Sequence, residues 1–152
     1  MKINGNYTLS TTPDVFWEMV MDPNILEKTT PGVKELKEIA PDSYEAISQV
    51  RVGPVKGNFN GKLSIKDKVE AESCTLVVDQ KSKMGNVIAE IGMNFKPVDD
   101  NNMAVAYTGE AKMSGTLATM GQRIMSGVVS TLSKQFFKNM EEQIAARTTQ
   151  SE

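Results

Sequence analysis

The chain has no histidine and a single cysteine, Cys74, among its 152 residues. Those absences remove the usual forms of a His/Cys zinc site, a Cys–His nucleophile and a Ser–His–Asp triad. One cysteine cannot close an intramolecular disulfide, so a reducing compartment fits and an oxidising one is not required. Long apolar runs are also missing. Nothing approaches the ~20 apolar residues of a membrane-spanning helix, and the opening Met1-Lys2-Ile3-Asn4-Gly5-Asn6 leads into no signal-peptide core. The expected compartment is the cytoplasm. The net charge is only −2, with the signs interspersed along the sequence. That balance offers no basic footprint for nucleic acid and no polybasic anchor for acidic lipid headgroups.

What is present describes an ordinary globular chain of 39% hydrophobic and 24% charged residues, enough to bury a core. Ten methionines stand against one tryptophan. Methionine fills gaps in cores, and it also builds deformable binding surfaces. Six of the ten (Met19, Met93, Met103, Met113, Met120 and Met140) fall on inward registers, and both readings stand.

Residues 3–9 alternate Ile3, Gly5, Tyr7 and Leu9 with polar partners, which predicts a half-buried strand. Ser10-Thr11-Thr12-Pro13-Asp14 then opens a helix, with a hydroxyl cap and an early proline whose missing N–H costs nothing. Val15, Phe16, Met19 and Val20 are its apolar face. Asp22-Pro23-Asn24 interrupts, Ile25-Leu26 add a turn, and Thr30-Pro31-Gly32 ends the segment. From Val33 to Met113 the period becomes two, with turns at Pro41-Asp42-Ser43, Gly53-Pro54, Met84-Gly85-Asn86 and Pro97 through Asn102. One apolar and one polar face throughout predict an antiparallel sheet covered on one side. Gly57 and Gly61 lie on the inward register, where they permit a sharp bend or the approach of another backbone, or else simply pack as small residues under a helix.

After Gly115, the residues Leu117, Met120, Ile124, Val128, Leu132, Phe136, Met140 and Ile144 recur at spacings of three and four. They predict one helix of ~45 Å with Gly121 and Gly127 in its interior, where they allow a close approach or clear volume for a ligand. The fold class is therefore α+β: a curved seven-stranded antiparallel sheet wrapped around a long C-terminal helix, with two short helices after strand 1. One domain over residues 1–148 and a polar tail at 149–152 are expected.

A sheet that curves away from a straight helix leaves a gap. From facing alone, its lining is expected to be Phe16, Met19, Phe59, Leu63, Met93, Tyr107, Met120, Ile124 and Val128. Arg51 falls on the polar register and Asp67 at a strand end or rim. Gln122 and Arg123 read equally as a cavity mouth or partner contact and as a solvated helix flank; Pro31 and Gly32 join them as mouth candidates. No acid–base constellation emerges, so the chain reads as a non-enzyme without cofactor or metal.

Several segments resemble the CoxG family, named for a component of carbon monoxide dehydrogenase and part of the START-like (SRPBCC), helix-grip superfamily. They are Asp22-Pro23-Asn24-Ile25-Leu26, Thr30-Pro31-Gly32, Val52-Gly53-Pro54-Val55-Lys56-Gly57, Phe136-Phe137-Lys138-Asn139 and, most specifically, Gly115-Thr116-Leu117-Ala118-Thr119-Met120-Gly121-Gln122-Arg123. The resemblance runs from Lys2 to about Ala146. It implies a hydrophobic cavity without assigned catalytic residues, holding a lipid or isoprenoid quinone. It also implies service to a molybdenum-containing dehydrogenase or related respiratory oxidoreductase, by membrane recruitment or quinone carriage, and so allows peripheral contact at the inner face of the membrane. Members usually place cysteines beside the Pro-Gly pair, where this chain has Thr29, Thr30 and Val33. Many also carry a C-terminal membrane extension, whereas this sequence stops in polar residues at Glu152; carriage is therefore expected above anchoring. The alternatives are a docking module with a filled interior, and a polyketide cyclase-like enzyme of the same fold.

Overall fold

The starts of the first two helices are written in short stretches of sequence. Thr12 caps the helix Pro13–Val20 (α1), its hydroxyl accepting from the Val15 amide, and Pro13 occupies the first turn. Asp22 does the same for Pro23–Thr29 (α2), accepting from the Asn24 amide at 2.9 Å. The computed structural model describes residues 1–151, with side chains through Arg147. The strands are Lys2–Leu9 (β1), Val33–Ala40 (β2), Ser43–Val52 (β3), Val55–Val69 (β4), Ser73–Ser82 (β5), Gly85–Asp99 (β6) and Asn102–Met113 (β7). They form one antiparallel sheet in the order β1-β7-β6-β5-β4-β3-β2, which leaves β1 and β2 as the edges and β5 in the middle.

The sheet curls, and Gly61 shows where. A Cβ there would lie 1.9 Å from the Asp79 carbonyl oxygen on β5, so only glycine lets the two backbones approach that closely. At Gly61 the approach of another backbone is therefore the reading that fits, and the neighbour is β5 rather than a helix. Asp67, at a φ of 53°, sits in a register shift between Lys66 and Val69 that turns it out to solvent.

The C-terminal helix departs from expectation. Instead of one rod from Gly115, a single turn Thr116–Thr119 (α3) is followed by a break and then by Gln122–Ser151 (α4). Gly121 makes the break, its φ of 85° lying in the left-handed region. Gly127 is inside α4, but a Cβ there would meet nothing within 4 Å, so it provides no close approach. The tail expected at 149–152 falls outside the residues with described side chains, and position 152 lies outside the described residues altogether; the backbone of α4 runs to Ser151.

The apolar interior is divided. Toward one end, Phe16, Met19, Met93, Phe95, Met103, Phe137 and Met140 pack with α1, α2 and the second half of α4. Toward the other, Val55, Phe59, Leu117, Met125 and Val128 pack with α3 and the first half. Between them lies a waist of small or short residues, Ile3, Ala89 and Ala111. Asn139 ties α4 to α2, its Nδ2 donating to the Thr29 carbonyl at 3.0 Å, and Arg147 meets Glu18 of α1 at 3.2 Å.

The two helix glycines should respond oppositely to substitution. Gly127→Ala is expected to stabilise the protein by about 1 kcal/mol, because it removes a helix-interior glycine without a clash. Gly121→Ala is expected to cost about as much, because alanine resists a positive φ; urea unfolding should show opposite shifts in midpoint. Burial pushes the Cys74 thiol up to about 11, with nearby Lys68 opposing. Its neutral form is thus favoured by folding, a contribution complete below the unfolded value near 9 and lost as pH rises toward 11. Thiol titration at pH 8 should be slow in the native protein and immediate in urea.

Candidate functional site in the groove between sheet and helix

The middle strand is where burial would be expected to peak, and it does not. Leu76, Val78 and Gln80 project from the concave side of β5, yet each is only half-buried. Ile91 on β6, Ser48 and Val50 on β3, and Gly61 on β4 share that partial exposure. The ends of the same registers (Phe95, Met103, Tyr44 and Val55) are buried. The two ends of the concave face are thus sealed, while at its centre Leu76, Val78 and Ile91 stay half-buried beside the buried Leu63 and Ala89, and an opening lies on each flank of α4.

On the β1 flank, an opening of about 290 Å³ is lined by Ile3, Asn4, Tyr107, Ser126, Val129 and Ser130, with Met1 and Lys2. Tyr107 owes its position to Gly5, since a Cβ at Gly5 would lie 2.4 Å from the Tyr107 hydroxyl. Its ring belongs to an aromatic stack: Tyr7 and Phe137 lie 4.2 Å apart, and Tyr107 is 6.1 Å from Phe137. Burial, with the Tyr107 phenol second, raises the Tyr7 hydroxyl above its ordinary value, so it stays neutral. On the β3 flank, an opening of about 210 Å³ is lined by Pro31, Gly32, Gln49, Val50, Arg51 and Val52 against Leu132 and Gln135.

Gln80 is the polar anomaly of the concave face. Its Nε2 donates to the Lys62 carbonyl at 3.4 Å. Oε1 is buried and has no hydrogen-bond partner among the described residues. An orphan acceptor of this kind costs about 1–3 kcal/mol. From β3 across to β1, the concave registers carry no Asp, Glu, Lys or Arg apart from the exposed strand ends.

The structure distributes the expected lining residues unevenly. Phe59, Met120 and Val128 meet in one cluster. Phe16, Met19 and Met93 belong to the other, with Tyr107 packed against it, and Leu63 is buried on β4. Of the nine, Tyr107 alone lines an opening; Phe16 and Met19 are fully buried. Ile124 is 47% exposed and points away from the groove. The cause is local helical phase: Met125 and Val128 are the buried residues at this end of α4, and Ile124 lies outside the arc between them, at the edge of the buried side. Pro31 and Gly32 do stand at an opening, whereas Gln122 and Arg123 are exposed at the start of α4, away from both.

Sequence reasoning missed Leu76, Val78, Gln80, Ser126, Val129, Ser130 and Leu132. Two signals were available. Gln80 continues the register of Cys74, Leu76 and Val78, a polar residue in an apolar row. Ser126 and Ser130 likewise put small hydroxyls four apart on the helix.

Among the described residues no helix is long and apolar enough to cross a membrane, and no cluster of His, Cys, Asp and Glu is arranged to hold a metal. No curated protein matches the chain in sequence. Among solved structures, a conserved protein from Geobacillus kaustophilus is 32% identical, with a TM-score of 0.93 and 96% of each chain covered. A START superfamily protein from Mycobacterium smegmatis has a TM-score of 0.77 at 8% identity, covering 95% of this chain and 97% of that one. An aromatase/cyclase from a Streptomyces species has a TM-score of 0.68 at 10% identity, covering 97% and 95%. These last two share the fold, which is therefore START-like and helix-grip. The family model of CoxG, a carbon monoxide dehydrogenase component, matches residues 5–145, nearly the whole chain, and the protein belongs to that CoxG family.

Proposed function

We propose that the protein is a non-catalytic carrier that holds an elongated apolar molecule, a lipid or an isoprenoid quinone, along the centre of its concave face. The observation that carries this reading is the half-exposed inner side of β5, flanked by an opening on either side of α4. The two openings alone are small for a drug-sized ligand, whose pockets run to roughly 300–1,000 Å³. Seating a long chain therefore requires α4 to lift at the waist, where the small residues Ala89 and Ala111 supply little packing to hold it. Methionines on both sides (Met93, Met113, Met120 and Met125) can refill the space when the ligand leaves. The family name supports a partner of the carbon monoxide dehydrogenase type or a related respiratory oxidoreductase. The absence of charged side chains from the concave registers favours holding over chemistry, although a cyclase shares the fold.

Organic extraction of freshly purified protein, followed by mass spectrometry, should release an apolar compound. An apolar dye or short-chain quinone should bind, and Val129→Trp with Leu132→Trp, which narrow the two openings, should weaken binding about tenfold or more. Circular dichroism would report whether those variants keep the fold. If nothing is extracted and neither probe binds the wild type, the carrier reading is wrong. Separately, Gln80→Met should raise the stability of ligand-free protein by about 1 kcal/mol in urea unfolding, since it removes the orphan acceptor at nearly constant shape.

A further inference from the structure

Gln80 places one chemical demand on whatever enters the groove. It stands on the inner face of β5, next in register after Cys74, Leu76 and Val78. Its Nε2 is held by the Lys62 carbonyl. Only the NH2 end of an amide can donate to a carbonyl, so that bond fixes the oxygen as the end left over. Oε1 is buried, without a partner among the described residues. The sheet around it supplies no donor. Across the strands the row reads Ala46, Gly61, Gln80, Val87 and Met113, so every side chain beside Gln80 is apolar or missing. Ser82, next on the same face, is already committed: its Oγ donates to the Gly85 carbonyl at 2.8 Å and accepts from the Met84 amide at 3.1 Å. Ser48 stands on β3, two strands away and roughly 10 Å across the sheet.

We propose that Gln80 is the specificity-determining residue of the groove. Its Oε1 accepts from a hydroxyl on the bound molecule, so the groove takes an apolar body that ends in a neutral O–H donor. A hydroquinone or a long-chain alcohol has that chemistry; the matching quinone or ether does not. The inference rests on the carrier reading and adds to it the chemistry of the ligand's head. A hydroxyl gives the orphan acceptor its bond, whereas a carbonyl or ether oxygen would set a second acceptor against the first. Selection thus has an attractive and a repulsive part. An ionised head fits no better. Carboxylates and phosphates are acceptors, and no cation shares the centre of the concave face to offset their charge. The hydroxyls of Tyr107, Ser126 and Ser130 in the β1-flank opening both donate and accept, so they suit either kind of head and do not choose between them. The choice falls to the amide whose donor end is already used.

Competition against an apolar dye on the full chain tests this with two matched pairs. One is decylhydroquinone with decylbenzoquinone, kept free of oxygen; the other is dodecanol with methyl dodecyl ether. In the wild type the hydroxyl-bearing member of at least one pair is expected to bind about tenfold more tightly, and the pair with the larger ratio names the source of the hydroxyl. Gln80→Met should still bind the dye and should abolish that ratio, by weakening the hydroxyl-bearing member and not its counterpart. The wild-type ratio needs no variant, and Gln80→Leu repeats the test if Gln80→Met does not fold. Equal binding within both pairs by the wild type, as when a buried water already serves Oε1, overturns the inference and leaves the carrier reading standing. A ratio that survives Gln80→Met overturns it too, since another group then makes the choice. If neither the dye nor any of the four probes binds the wild type, the carrier reading fails and this inference fails with it.

Discussion

One helix has to cover the apolar face of seven strands. Neighbouring strands lie about 4.8 Å apart, so a flat sheet of seven spans roughly 29 Å, whereas a helix with its side chains is about 10 Å across. The mismatch is removed only if the sheet curls. That is why the close approach at Gly61 is needed, and why the strands bulge at Asp67. Curling brings the flanks toward α4 without sealing them. The buried aromatics and methionines then concentrate where a second element helps, with α1 and α2 at one end and α3 at the other. The half-exposed middle strand is the remainder of that geometry.

The same constraint explains what the sequence made legible. Period-two patterning and turn residues mark the strands, because a sheet face covered on one side keeps a strict alternation. Caps mark α1 and α2, because Thr12 and Asp22 act on amides two or three residues away. The groove was less readable. Half-burial of Leu76, Val78 and Ile91 depends on where α4 does not reach, and no local pattern records that. Apolar residues at a buried end and in an open centre look alike in sequence; Gln80 alone broke the row.

Ile124 exposes a different limit. A row of fours reads as a face only over two or three steps, after which the 3.6-residue period carries it round the helix. The drift is real in the fold: Val128 faces the α3 end and Ile144 the α1–α2 end, on different sides of α4, because the curled sheet meets the helix from changing directions. Gly121 adds to the misreading by breaking the helix within the row, between Met120 and Ile124. A residue that reads as core in the sequence is thereby left at the surface beside Arg123.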